Sequence, residues 1–276
     1  MASERVEGTA FGVGLLRAIE GRVDPGRRLF EDPVAERLLT GWPAWVVRHR
    51  TARRAFMPLM ELAAPGFFGG VVCRTRVIDD ACRETLVAGV RQVVILGAGM
   101  DTRPYRMAAM RTARVWELDL PRVQAAKRAR LGDPPGQVRY VPIDLAEGSL
   151  RETLAASGHD ADLPTLVLCE GVTQYLPRTV VDSIFAYAGS LPTGSRLVFT
   201  YLPKTVLDDP EQARRVRRFH WQTGFDPADV PRHLADRGLT LTRDWDADQY
   251  RELLLRPLHR DLKVFEIERL AIAGTP

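Results

Sequence analysis

The sequence has few of the residues that build disulfide frameworks or metal sites. Three cysteines, Cys73, Cys82 and Cys169, are spread over 276 residues at no metal-ligand spacing. An odd number of cysteines in this arrangement argues against a disulfide framework and against a structural zinc site. We therefore expect no bound metal, and this cysteine usage fits a reducing cytosol.

Long apolar runs and a leader sequence are also missing. No stretch approaches the roughly 18 consecutive apolar residues that a membrane span requires. The N-terminal sequence MASERVEGTAFGVG lacks the cationic head and apolar run of a signal peptide. These two absences lead us to expect a cytoplasmic protein with no membrane partner.

Lysine is scarce, whereas arginine is abundant. Only Lys127, Lys204 and Lys263 are lysines among 39 basic residues, which face 35 acidic residues and leave a net charge of +4. Arginine recognises carboxylates and phosphates well, although a GC-rich genome produces the same excess. The net charge is small for a nucleic-acid binder despite a pI of about 9.2, so we expect no nucleic-acid partner.

The pattern of the sequence changes near residue 90. Before it, apolar residues recur at helical spacing over residues 28–39 and 71–90. After it, short apolar runs alternate with helical patterns, which is typical of a parallel sheet covered on both faces. We therefore predict an N-terminal helical cap over residues 1–90 and an α/β doubly wound unit over residues 91–276.

Seven strands are predicted in the second unit. They lie at residues 92–96, 114–118, 138–143, 166–169, 196–201, 239–245 and 264–273. The last two flank a helical stretch at residues 247–255, and we expect them to extend one edge of the sheet.

The most informative segment is the turn that follows the first predicted strand. The strand QVVIL runs into Gly97, Ala98 and Gly99 before a helix begins. Glycines at this place permit a tight turn and let a ligand approach the backbone, at the end of the sheet where open α/β sheets bind ligands. A GxG sequence alone also fits an ordinary strand–helix turn.

Acidic residues end the second strand. Glu117 and Asp119 come about 20 residues after the glycines, where a carboxylate accepts hydrogen bonds from a ribose diol. The alternative role is to cap the helix that begins at Pro121.

The third and fourth strands end in further candidates. Asp144 could accept a hydrogen bond from an adenine amino group while the N–H of Leu145 donates to a ring nitrogen, although an aspartate here also caps helices. Glu170 faces the same cleft. There it could accept a hydrogen bond from an ammonium group of a bound cofactor, or orient the molecule that reacts with the cofactor.

The spacing around the glycines argues against a dinucleotide. The fingerprint GxGxxG/A requires a small residue at its sixth position, which counted from Gly97 is Thr102, and Asp101 stands where a diphosphate would lie. These features argue against NAD or FAD and an oxidoreductase, and no P-loop motif occurs. They favour S-adenosylmethionine, which has a ribose, an adenine and an ammonium group but no phosphate.

These segments together resemble the leucine carboxyl methyltransferase family, and most closely its bacterial branch, which includes polyketide carboxyl O-methyltransferases. The matching segments span residues 30–178 and are FEDPVAERLL, CRTRVIDD, VVILGAGMDTRPYRM, WELDLPRV, VPIDL and CEGVTQYLP. The resemblance implies a class I methyltransferase fold, which is Rossmann-like with a mostly parallel sheet, and S-adenosylmethionine as cofactor.

The resemblance also implies cofactor contacts by position. Those at the amino-acid end of the cofactor are Arg74, which would pair with its carboxylate, Gly97 and Glu170. Those at the nucleoside end are Asp119 for the ribose and Asp144 with Leu145 for the adenine. Arg76 is a neighbouring alternative to Arg74, and the terminal regions do not resemble the branch that methylates a protein phosphatase.

The predicted reaction is methylation of a small-molecule acid, such as a polyketide or other natural-product acid, to a methyl ester. A carboxylate is ionised at pH 7, because its reference pKa is about 4, and needs no general base. A phenol or alcohol would need a base such as histidine, and none of the five histidines lies in a recognisable catalytic motif. The alternatives are a phenol or hydroxyl acceptor, a peptide C-terminus, a nucleic-acid methyltransferase and a non-enzymatic cofactor-binding protein.

A lid is predicted over residues 201–225, after the fifth strand. Its candidate acceptor contacts are Arg214, Arg215, Arg217, Arg218 and His220. Each of these arginines could hold an anionic acceptor or lie on a solvated helix. Tyr175 could line the acceptor pocket or pack in the core.

Overall fold

A seven-stranded sheet organises the computed structural model, which describes residues 2–216 and 219–276. The strands are β1 (Gln92–Leu96), β2 (Arg114–Asp119), β3 (Val138–Pro142), β4 (Thr165–Cys169), β5 (Arg196–Tyr201), β6 (Thr240–Trp245) and β7 (Arg269–Gly274). Their spatial order is β3-β2-β1-β4-β5-β7-β6. β7 is antiparallel to both of its neighbours, and the remaining pairs are parallel.

The central strands are buried on both faces. Every residue of β1 and of β4 is buried. Along β1, Val93 and Ile95 belong to one hydrophobic core and Val94 and Leu96 to another, on the opposite face of the sheet. A strand with two dry faces needs an unbroken apolar run, which is why the predicted bounds of β1 and β5 agree with the structure.

Helices cover both faces of the sheet. They are α1 (Ala2–Glu20), α2 (Pro33–Leu38), α3 (Gly41–Arg48), α4 (Arg50–Ala63), α5 (Phe67–Val87), α6 (Arg103–Arg106), α7 (Pro121–Leu131), α8 (Leu150–Ala156), α9 (Arg178–Gly189), α10 (Thr205–Asp208), α11 (Pro210–Val216), α12 (Val230–Ala235) and α13 (Ala247–Tyr250). In the part of the chain that the structure describes, no single helix is long and apolar enough to cross a membrane; α4 and α5 meet that test only as a pair bent by 100°.

The N-terminal helices and the sheet share one hydrophobic core. Val71, Ile78 and Cys82 of α5 lie in the same buried cluster as Val93 of β1 and Val198 of β5. The predicted division at residue 90 therefore falls inside a continuous core, and α5 is one of the helices that cover the sheet.

The sequence-based bounds are wrong at two places. Residues 28–32 are not helical, because Asp32 caps α2 by accepting from the Ala35 N–H at 2.9 Å, and Pro33 fills the first helical position. Residues 264–268 are not part of a strand. This segment leaves the sheet and crosses the start of α5, where Phe265 N–H donates to Gly66 O at 3.1 Å.

The crossing of α5 depends on a missing side chain. A Cβ placed on Gly69 would lie 2.1 Å from the backbone oxygen of Lys263, closer than any real contact, and one on Gly70 would meet the Phe265 ring. The absence of a side chain at Gly69 therefore lets residues 264–268 run against α5 and reach the carboxyl ends of the strands.

Candidate functional site

A cavity of about 1370 Å³ opens at the carboxyl ends of the parallel strands. Leu96, Asp119, Ile143, Glu170 and Leu202, from the ends of five successive strands, contribute to its wall. Open α/β sheets bind ligands at this edge. The volume exceeds the roughly 300–1,000 Å³ that is typical of a single small ligand, so the cavity has room for two molecules.

The glycine turn lines the cavity and needs its glycines. Gly97 and Gly99 adopt positive φ values of 57° and 47°, which side chains other than glycine's rarely tolerate. A Cβ on Gly97 would also lie 2.4 Å from Cγ2 of Val172 in the loop after β4. Between them, the Ala98 N–H donates to Leu118 O at 3.0 Å and ties the turn to β2.

Asp119 lies in the wall beside this turn. Its Oδ2 accepts from the Gly99 N–H at 2.6 Å, and its Oδ1 accepts from the Leu120 N–H at 2.7 Å. Burial raises the pKa of Asp119, and the two N–H donors oppose that rise. A carboxylate oxygen accepts more than one hydrogen bond, so Asp119 retains lone pairs for a diol.

The structure does not bring Glu117 to the cavity. Although alternation places Glu117 and Asp119 on the same face of β2, the Glu117 side chain packs in the interior of the protein, where Oε2 accepts from Lys127 Nζ at 2.5 Å. Burial raises the pKa of Glu117 to about 7, and the Lys127 ammonium opposes that rise. Lys127 also lies 5.3 Å and 5.8 Å from the ring centroids of Tyr105 and Tyr140. Glu117 thus belongs to a buried ion pair.

We expect the loss of one partner of the Glu117–Lys127 pair to destabilise the protein strongly, and the loss of both partners to change its stability little. Glu117→Gln leaves a buried ammonium without its partner and should lower the free energy of unfolding by about 3–5 kcal/mol. The double variant Glu117→Leu/Lys127→Met removes both charges and should be within about 1 kcal/mol of wild type or above it. Urea unfolding at pH 7.5 measures both, and a double variant as unstable as Glu117→Gln would contradict this account.

The third strand delivers two predicted residues to the wall. Asp144 and Leu145 both line the cavity. Asp144 is exposed, and its Oδ1 accepts from the Ala146 N–H at 2.9 Å. This bond closes the turn after β3 and holds the carboxylate at the cavity edge.

Arg74 lies in the wall, in a buried ion pair with two carboxylates. Its Nε donates to Glu170 at 2.9 Å and its Nη1 to Glu268 at 2.6 Å. These bonds leave Nη2 unengaged. Arg76, the alternative candidate, is not part of the described wall; it donates to Asp80 at 2.7 Å and to the carbonyl of Leu29.

Arg103 joins the glycine turn to Glu170 and was not predicted as a site residue. It donates to Asp79 at 2.9 Å, Asp101 at 2.7 Å and Glu170 at 2.8 Å, and it is 1% exposed. Burial favours the neutral form of Glu170, but the guanidinium groups of Arg103 and Arg74 lower the pKa of Glu170 below its usual value. Glu170 is therefore an anion at neutral pH.

Three further wall residues were missed as site residues. Arg17 reaches the cavity from α1; its Nη2 donates to Met100 O at 2.5 Å and its Nε lies 3.1 Å from Asp32. Asp101 was predicted only as an obstacle to a diphosphate, and Glu268 lay inside a predicted strand. Nothing local in the sequence links Arg17 or Glu268 to the glycine turn, because long chain separations divide them from it.

The outer part of the wall is aromatic and includes Tyr175. The Tyr175 ring lies 6.5 Å from that of Trp221, which stacks on Phe219 at 5.0 Å. Phe67 and Phe265, which also line the cavity, make an edge contact at 5.6 Å. Tyr175 both packs against its neighbour and borders the cavity, so the two roles weighed for it coexist.

The predicted lid contributes residues to the cavity wall, but the candidate acceptor contacts that the structure describes are not among them. Helical periodicity turns Gln212 and Val216 of α11 toward the cavity, while Arg214 is exposed and not part of the described wall. His220 is also exposed and outside that wall. The candidates Arg217 and Arg218, and the side chain of Arg215, lie outside the described residues. Over residues 2–216 and 219–276, no group of three or more His, Cys, Asp or Glu side chains could hold a metal ion.

Comparison with known proteins gives consistent matches. A family model described as leucine carboxyl methyltransferase matches residues 10–188. A candidate S-adenosyl-L-methionine-dependent methyltransferase from Mycolicibacterium gilvum is 39% identical over 173 residues, which cover 61% of this chain and little more than half, 56%, of that protein. Another from Streptomyces coelicolor is 34% identical over 210 residues, covering 72% of this chain and 70% of that one. The crystal structure of a candidate methyltransferase from Thermobifida fusca superposes with a TM-score of 0.59 at 22% identity, covering 87% of this chain and 92% of that one.

Proposed function

The chain belongs to the leucine carboxyl methyltransferase family, and from this premise we propose that it methylates the carboxylate of a small-molecule acid. The predicted family, class I methyltransferase fold, enzyme class and cofactor are confirmed. The chain is thus an S-adenosylmethionine-dependent methyltransferase. The acceptor and the residue roles below are proposals.

The wall of the cavity fits the cofactor in charge and shape. Asp119 would accept from the ribose hydroxyls and Asp144 from the adenine amino group. At the other end, Arg74 would pair through Nη2 with the methionine carboxylate, and the Glu170 anion would hold the ammonium group. Gly97 leaves the space that a side chain would fill. The cofactor, when bound, supplies an electrophilic methyl group on a sulfonium.

One observation carries the choice of a carboxylate acceptor: the described wall of the cavity contains no histidine. Burial raises the pKa of Tyr175, so this phenol stays protonated at neutral pH and is a poor base. An acceptor that arrives ionised needs no proton removed. With the cofactor bound, the acceptor oxygen would form a bond to the methyl carbon as the carbon–sulfur bond breaks, and the aromatic side chains of the wall would limit the access of water.

The acceptor chemistry can be tested with a panel of carboxylic acids and matched alcohols or phenols, using methyl-labelled S-adenosylmethionine. A methyl ester releases labelled methanol in mild alkali, whereas an aryl or alkyl methyl ether does not. We expect alkali-labile product and a kcat/KM that stays flat from about pH 6 to 9, because a carboxyl group with a pKa of about 4 is ionised throughout. Alkali-stable product, formed faster as the pH rises, would instead identify a hydroxyl acceptor.

We further propose a cytoplasmic location. Cys73, Cys82 and Cys169 are all free and buried. Burial raises the pKa of Cys73 and of Cys169 to about 12, so these thiols are unreactive at neutral pH. Free, unpaired thiols of this kind support a reducing compartment.

A further inference from the structure

Helices α3 and α4 present an unpartnered apolar surface. Its members, which we call the α3–α4 surface, are Trp42, Trp45, Leu59 and Leu62, exposed by 62%, 55%, 66% and 82% respectively. Ala52 is the one buried residue of the 14-residue helix α4, all of which the structure describes. Phe56, Met57 and Met60 of α4 are partly buried against the hydrophobic core, whereas Leu59 and Leu62 of the same helix are not covered by the described chain.

The α3–α4 surface is continuous with the mouth of the cavity. The Trp42 ring lies 5.9 Å from that of Phe56 on α4. Phe56, Leu59 and Ala63 succeed one another at spacings of three and four residues and so lie on one side of the helix. Ala63 belongs to the cavity wall, as do Pro65 and Phe67 just beyond it.

Exposed arginines flank this surface. Arg48, Arg50 and Arg54 are exposed, and none forms an ion pair with a carboxylate in the part of the chain that the structure describes. Between residues 41 and 65, Glu61 is the only acidic residue. The segment therefore carries an excess of positive charge beside its exposed tryptophan and leucine side chains.

We propose that the α3–α4 surface docks on an anionic lipid membrane. Exposed leucine side chains insert into a membrane interface, and anionic headgroups attract arginines that lie beside them. Tryptophan favours the same interface. The expectation of no membrane partner rested on the lack of a spanning segment, and a peripheral contact of this kind needs no span. Docking would place the cavity mouth at the lipid headgroups.

The test is co-sedimentation of the full chain with vesicles of phosphatidylcholine alone or mixed with phosphatidylserine. We expect binding to the mixed vesicles, at least about tenfold tighter than to the neutral ones and weakened by salt. Leu59→Gln/Leu62→Gln should reduce partitioning by about tenfold or more, and Arg50→Gln/Arg54→Gln by about fivefold per arginine. Leu253→Gln, at an apolar residue 59% exposed outside this surface, should bind as wild type does.

Several outcomes would overturn the proposal. Equal binding to neutral and anionic vesicles would remove the role of the arginines, and equal binding by Leu59→Gln/Leu62→Gln would remove the role of the surface. If no vesicle is bound and sedimentation shows a dimer that Leu59→Gln/Leu62→Gln dissociates, the surface is an interface between two copies of the chain. Unchanged binding of S-adenosylhomocysteine by calorimetry confirms that each variant is folded.

Discussion

Arg103→Met should lower the free energy of unfolding by about 3–5 kcal/mol, because it leaves buried carboxylates without their partner. Arg103 donates to Asp79, Asp101 and Glu170, which come from α5, the glycine turn and the end of β4. The methionine side chain is apolar and occupies part of the same space as that of arginine, but it neutralises none of these charges. For a chain of this size, the loss corresponds to a fall in Tm of roughly 6–20 °C.

The measurement is best made at pH 7, where these carboxylates are charged. Burial alone would raise the pKa of Asp101, but the Arg103 guanidinium lowers it to about 2. The stabilisation from this depressed pKa is present at neutral pH and is lost as the pH falls toward 2. The difference in free energy of unfolding between wild type and Arg103→Met, measured with urea, should therefore be smaller at acidic pH than at pH 7.

Arg128→Met is the matched control for Arg103→Met. Its guanidinium lies 3.3 Å from Asp133, in a pair with side-chain exposures of 55% and 89%. A surface pair of this kind contributes about 0–1 kcal/mol. If Arg128→Met and Arg103→Met lowered the free energy of unfolding equally, the buried ion pairs of Arg103 would not be a major source of stability.

Arg74→Met should weaken binding of S-adenosylhomocysteine on the order of a hundredfold, since a buried charged contact to the ligand carboxylate is lost. Arg74 lies in the cavity wall with Nη2 free of its two carboxylate partners. Arg74→Lys keeps the charge but not the fork of donors, and should fall between wild type and Arg74→Met. Calorimetry with S-adenosylhomocysteine gives the affinity directly.

Arg76→Met is the control for this assignment, because the two arginines are two residues apart on α5 and the sequence left both open. Arg76 pairs with Asp80, away from the cavity, so its loss should leave the affinity within about twofold of wild type. A larger effect from Arg76→Met than from Arg74→Met would reverse the assignment. Tm values for each variant separate loss of binding from loss of folding.

The strands were predictable because consecutive residues of a buried strand are apolar. Every residue of β1 and of β4 is buried, so an apolar run coincides with the strand itself. Residues 264–268, VFEIE, alternate apolar and acidic side chains as a half-buried strand does, yet they are not a strand. Their path is set by the crossing of α5 at Gly69 and Gly70, a tertiary contact that strand periodicity does not reveal.

The site was predictable where residues follow strand ends and unpredictable where side chains meet across the chain. Asp119 and Asp144 could be placed from the glycine turn and the strand pattern alone. The partners of Arg74 lie 96 and 194 residues away, and no local pattern pairs them. Glu117 illustrates the intermediate case: alternation puts it on the same face of β2 as Asp119, and only its packing against Lys127 shows that it does not reach the cavity.

The position of β7 has a consequence for the order in which the sheet forms. β7 follows β6 in the chain, yet it lies between β5 and β6 and pairs with both. Until residues 269–274 insert, β5 has an open edge and β6 has no partner in the sheet. Unpaired strand edges invite aggregation. The folding chain is therefore most prone to aggregation just before β7 inserts, and the insertion of that one strand both covers the edge of β5 and joins β6 to the sheet.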